Sequence, residues 1–305
     1  MGNAWGGFQD WAIFIGGAAS GGFEVKGESP TNGATLIVSQ TSGPIAPVQE
    51  PTATAASGNL VALIDNAPNR VMVRDLQGMV ASEIVTGGDY LNLAIGGTLV
   101  AWEEELAGVS TIRATSVLPG TIHNVGVGSW PSVDGTKIYY EEANGIASYD
   151  VLTSVQTSVA TNIPGTFAYH HPSAAGGIVA FERESLLTGG SVIERSDGTT
   201  RTDISTSLCS NAYQPRVGGV SGDLVVYMAD NCVPFQDSFG NWYGGAGRPQ
   251  LLLAKWNSTT STVTTYFLGE FAAIPDPDRQ PWYDIEGDRI AYTLDGATVE
   301  VINLL

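Results

Sequence analysis

One phrase recurs six times along this chain: a glycine, any residue, branched apolar residues or close substitutes, an aromatic, and then acid. Its clearest copy is GTKIYYEE, from Gly135. The others are GNLVALID from Gly58, GTLVAWEE from Gly97, GGIVAFER from Gly176, GDLVVYMAD from Gly222 and GDRIAYTLD from Gly287. Aligned on the second branched residue they fall at Val61, Val100, Ile138, Val179, Val225 and Ile290, at intervals of 39, 38, 41, 46 and 65 residues. A period near 40 with a strand phrase in every copy predicts a propeller built from four-stranded blades.

Within each repeat the phrase reads as the second strand. A polar stretch leads in, RVMVRDL or GIASYDV supplies a third strand, and TSVQTSVA or TVTTYFL a fourth. After DRIAYTL and ATVEVINLL the sixth repeat is one strand short. The isolated strand GATLIVSQ, from Gly33, is expected to complete it, because pairing across the seam leaves no open edge. The expected fold is thus all-β: a six-bladed β-propeller over residues 33–305. Before it lies a glycine- and aromatic-rich arm, residues 1–32, with Trp5, Phe8, Trp11, Phe14 and Phe23, expected to pack on the propeller or dock on another copy or a partner.

The leading strands carry a proline a few residues before the turn glycine: Glu50-Pro51, Trp130-Pro131, His171-Pro172, Gln214-Pro215 and Gln280-Pro281, with Tyr90-Leu91 as the exception. A strand beginning at a channel rim can lack one donor without breaking a ladder. With the phrase that follows, WPSVDGTKIYY and HPSAAGGIVAF resemble the repeats of TolB-like and prolyl-oligopeptidase-type propellers. The resemblance implies a binding platform if TolB-like. The related peptidases do their chemistry on a separate α/β-hydrolase domain, and no G-x-S-x-G elbow occurs in this sequence.

Charge narrows the partners. Lys plus Arg number 13 against 31 Asp plus Glu, giving a formal net charge of −18, which repels phosphate backbones and anionic lipid. Nucleic acid and membrane insertion are therefore not expected. No apolar run approaches the roughly 20 residues of a membrane span. WAIFIGGAA, from Trp11, lacks a preceding basic flank and does not read as a signal peptide.

Cys209 and Cys232 flank a predicted hairpin whose turn, GGVSGD from Gly218, lies at their midpoint. They should face each other and form a disulfide worth roughly 3 kcal/mol in the chain-entropy model. A disulfide points to an oxidising destination. At its root begins the longest insertion, Asn231 to Gln250, where Phe235, Phe239, Trp242 and Tyr243 supply flat apolar faces and Asp237 and Asn241 hydrogen-bonding groups. Such a mixture suits a sugar or a protein interface.

Acids close the second strands at Asp65, Glu103, Glu104, Glu141, Glu142, Glu182, Asp230 and Asp295, an expected collar of solvated strand ends or of groups facing a cation or basic partner. His171 and Trp130 sit at the expected rim and complete the candidate ligand-binding set. Asp276 and Asp278 offer oxygen ligands for calcium without the spacing of a known loop. No HExxH spacing accompanies His123, His170 or His171, so no cofactor and no catalytic residue is assigned. The expectation is a non-enzymatic recognition, adhesion or structural propeller, extracellular or on a virion surface such as a phage tail, binding a glycan or protein. The alternatives are a secreted or periplasmic TolB-like scaffold, and a propeller glycosidase or metal-dependent hydrolase.

Overall fold

A strand that is apolar along its whole length needs both of its faces covered. The computed structural model meets that need with seven antiparallel sheets, each packed between two others. It describes residues 53–304 apart from 67–68, 76–79, 118–119, 206–208, 214–218, 237–241, 246–248, 272–282, 288 and 293–299, and, before them, the strands at 3–8, 11–17, 23–28 and 35–40.

Blade one is Asn3–Phe8, Trp11–Gly17, Phe23–Glu28 and Thr35–Gln40; blade two is Ala53–Ser57, Leu60–Asn66, Asn69–Asp75 and Val80–Thr86. Blade three is Asp89–Gly96, Leu99–Leu106, Val109–Ser116 and His123–Val127; blade four is Ser129–Asp134, Lys137–Glu142, Gly145–Asp150 and Val155–Thr161. Blade five is Phe167–Ala175, Ile178–Ser185, Ser191–Ser196 and Arg201–Asp203. Blade six leads with Cys209–Tyr213 and Val220–Ser221, then runs through Leu224–Gln236, Gln250–Asn257 and Thr262–Glu270, with Trp242–Gly245 paired to its long second strand. Blade seven is Tyr283–Glu286, Arg289–Tyr292 and Glu300–Asn303. The innermost strand of each blade neighbours that of the next, and Asn3–Phe8 touches both Ala53–Ser57 and Tyr283–Glu286, so the cycle closes.

The fold class is the all-β propeller, but the described sheets number seven rather than six. The stretch expected to be an arm supplies three strands of blade one. Thr35–Gln40, expected to complete the last blade, pairs instead with Phe23–Glu28 from Glu28↔Thr35 to Glu24↔Gln40. Blade seven has three strands among the described residues, and packing of blade one against its inner strands joins the ring there.

The core lies between blades. Along Leu99–Leu106, Val100 and Trp102 pack toward Ile64, Val71 and Val73 of blade two, while Leu99 and Ala101 pack toward Ile138 and Tyr140 of blade four. The aromatic of each phrase thus faces the preceding blade: Trp102, Tyr140, Phe181, Tyr227 and Tyr292 are all nearly or wholly buried there. The phrase glycines have φ between 56° and 64°, the left-handed region that a tight turn between first and second strands demands.

Near those turns, hydrogen bonds tie one blade to the next. Ser132 Oγ accepts from the Ala174 N–H at 2.9 Å, Ser173 Oγ from Gly219 at 3.1 Å, and Ser57 Oγ from Gly97 at 2.9 Å. The Asp134 carboxylate accepts from both Gly176 and Gly177, at 3.1 and 2.6 Å.

Candidate binding face at the channel mouth

The prolines opening the inner strands mark a local irregularity. In blade four the ladder shifts between Ser129 and Ser132, and in blade five between His170 and Ser173. The residues before each proline, Trp130 and His171, have φ of 54° and 51°. A bulky residue there costs on the order of 1–3 kcal/mol and persists only where its surroundings hold it.

The acids of the preceding blade hold it. Glu103 Oε2 accepts from the Trp130 N–H at 3.3 Å and from the Asn92 amide at 2.7 Å. One repeat later, Glu141 Oε2 accepts from the His171 N–H at 3.2 Å. Here the acidic collar is an inter-blade clamp: a carboxylate ending one second strand fixes the irregular start of the next inner strand. Among the described residues no group of three or more His, Cys, Asp or Glu is placed to hold a metal ion.

Around the clamp of blades four and five the two adjacent histidines add a second layer. His170 Nδ1 lies 2.9 Å from Glu141 Oε1, and its Nε2 lies 3.5 Å from Glu184 Oε2. His171 Nδ1 lies 3.3 Å from Glu182 Oε2, and its ring meets Trp130 edge to face at 5.1 Å. The hydrogen bond to Glu141 raises the His170 pKa above the imidazole's ordinary 6.5; burial opposes the rise, and the charges of Glu141, Glu182 and Glu184 add to it. The raised pKa favours the protonated form of His170, which bridges the seam between blades four and five.

Because the folded pKa is raised, the bridge contributes its stability in full below pH 6.5 and loses it as pH climbs through the raised value. Glu141→Ala removes the acceptor for both the His171 N–H and His170 Nδ1. Its expected cost is about 2 kcal/mol at acidic pH, with a shallower fall of stability as pH rises above 6.5 than in the parent. Urea titrations at several pH values check this; parallel pH profiles would show that the bridge contributes nothing.

Of the residues expected to bind, Trp130 and His171 are brought into contact. The insertion in blade six is an antiparallel hairpin extending the second strand, with Phe235 opposite Tyr243 and Gln236 opposite Trp242. Asp237, Phe239 and Asn241 lie outside the described residues, as do Asp276 and Asp278. Cys209 stands directly opposite Cys232 in the ladder, and Cys209 is disulfide-bonded. His170 and Glu184 were not singled out from the sequence. The signal available was a doubled histidine one repeat after Trp130, facing acids spaced to reach it.

The fold and this mouth define a β-propeller of inter-blade-clamped sheets. The chain is similar to an oligogalacturonate lyase from Vibrio parahaemolyticus, with 11% identity and a TM-score of 0.63 over 98% of this chain and 88% of that one. It is similar to an acylaminoacyl peptidase from Pyrococcus horikoshii, with 10% identity and a TM-score of 0.62 over 96% of this chain but only 49% of the peptidase. TolB from Acinetobacter baumannii is 14% identical, with a TM-score of 0.46 over 95% of this chain and 76% of that one. No family model matches the chain, and no curated protein matches it either. The resemblance to TolB-like and prolyl-oligopeptidase-type propellers is one of fold.

Proposed function

We propose that this protein is a recognition propeller that binds a protein or glycan at the channel-mouth face without transforming it. One observation carries the reading. Ten large apolar side chains are exposed among the described residues, and six of them, Leu106, Val109, Val127, Ile163, Leu186 and Leu187, lie at the end where the blade connectors and the hairpins between second and third strands emerge. Apolar area gathered at one end of a ring is the mark of an interaction surface. The mouth acids support binding over catalysis, since Glu103 and Glu141 already accept from backbone N–H groups.

A glycan ligand is favoured at the blade-six hairpin, where Trp242 and Tyr243 follow one another in a strand that extends from the same end. The oxidised Cys209 suits a periplasmic, extracellular or virion-surface setting. The test pairs binding with turnover. The purified chain is incubated with a panel of oligo- and polysaccharides, peptides and esters, following thermal shift and, by mass spectrometry, product release. Stabilisation without product supports the reading; turnover lost in Glu141→Gln or His171→Ala overturns it.

A further inference from the structure

The mouth face has a chemistry of its own beyond being apolar. Leu106 and Val109 are opposite one another at the tip of the blade-three hairpin, and Val127 pairs with Thr111 beside them. The Gly128 N–H bonds to the Ser110 carbonyl at 3.0 Å, fixing the connector to that hairpin. On blades four and five, the Leu186 N–H bonds to the Thr166 carbonyl at 2.9 Å, setting Leu186 and Leu187 beside the connector that carries Ile163. Leu106 and Leu187 are each 75% exposed, so both clusters present their apolar area to solvent.

Between these clusters carboxylates predominate, and His170 at the seam is engaged by Glu141 and Glu184. Glu104, Glu105, Glu142 and Glu184 are all partly exposed at the same strand ends. The arginines on these second and third strands are occupied: Arg113 pairs with Glu104 at 3.0 Å, and Arg183 pairs with Glu194 and lies over the Phe167 ring. An apolar pair of clusters separated by carboxylates has its complement in a segment that places Lys or Arg between Leu- or Ile-like anchors.

We infer that the mouth of blades three to five docks a cationic, apolar-flanked segment of a partner protein. This rests on the recognition reading and names the partner class. The apolar anchors would cover the Leu106 and Leu187 clusters while the basic residues lie over Glu105 and Glu142. Acids on a low, half-buried rim attract such a segment from solution and reject acidic ones, an effect screened over about 8 Å at physiological ionic strength.

The experiment measures fluorescence anisotropy of three short labelled peptides with the full chain: alternating Leu and Lys, alternating Leu and Glu, and alternating Ser and Lys. The Leu/Lys peptide is expected to bind with an affinity that falls as salt is raised. The double variant Leu106→Ser/Leu187→Ser, and separately Glu105→Lys/Glu142→Lys, should each weaken it roughly tenfold or more. Leu152→Ser/Val155→Ser, at the opposite end of the ring, should leave it unchanged. Equal binding of the Ser/Lys peptide, or indifference to both mouth variants, overturns the inference. So does a silent peptide panel beside a polysaccharide that binds this face, and that result leaves the recognition reading standing. Turnover, by contrast, removes the recognition reading whatever the peptides do.

Discussion

Trp102→Ala is expected to lower the unfolding free energy by about 3–5 kcal/mol. Trp102 is 1% exposed and fills the space between blades two and three among Ile64, Val71, Val73 and Leu93. Removing its ring opens a void that two sheets, each held by its own ladders, close only in part. The indole N–H has no hydrogen-bond partner among the described residues, so part of what the ring contributes is offset by an unsatisfied donor. Trp102→Phe should therefore cost much less than Trp102→Ala. Urea midpoints at constant slope read both. An alanine variant within about 1 kcal/mol of the parent would mean that the blades relax together, and the inter-blade core would not be the main source of stability.

Cys209→Ser comes next, with an expected loss of about 2–4 kcal/mol. Cys209 opens the leading strand of blade six, and its register partner Cys232 sits in the long second strand, at the first pair of the hairpin extension, opposite Gly245. The bond pins the place where Leu224–Gln236 leaves its partner Gln250–Asn257 and pairs with Trp242–Gly245 instead. The loss should reappear in the parent on adding reductant and be absent from the reductant response of the variant. If parent and variant melt together, with or without reductant, the bridge does not stabilise this junction.

The sequence carried most of the ring and little of its ends. The phrase from Gly97 to Trp102 was legible because a strand buried on both faces must be apolar throughout, and its turn requires a glycine with positive φ. Blade one escaped the pattern for a local reason. Its second strand, Trp11–Gly17, holds Ala12, Ile13 and Phe14 in the apolar places, but Gln9 stands where the turn glycine would be and no acid follows. The pairing Phe8↔Trp11 forms the same hairpin with different turn chemistry. GATLIVSQ then looked unpartnered, and the sixth repeat looked unfinished, only because that blade had gone uncounted.

The site was legible as residue types rather than as relations. Trp130, His171 and the strand-end acids were visible, because proline and acid recur at fixed places in the phrase. That Glu141 reaches forward to His170 and His171 of the next blade depends on the stagger between sheets, which no single repeat encodes. The exposed leucines were invisible as a group, since Leu106 and Leu187 belong to different repeats and only the ring sets them at the same end.

Six of the carboxylate and hydroxyl joints between blades run one way along the chain. Ser57, Glu103, Ser132, Asp134, Glu141 and Ser173 each accept from a main-chain N–H of the blade that follows. A main-chain donor exists whatever residue bears it, so each joint asks for a particular side chain on its upstream side only. A duplicated or transplanted blade that carries its own acceptor would find a partner in any successor. A ring built on such one-sided joints can change its size by gene duplication without rewriting the neighbours.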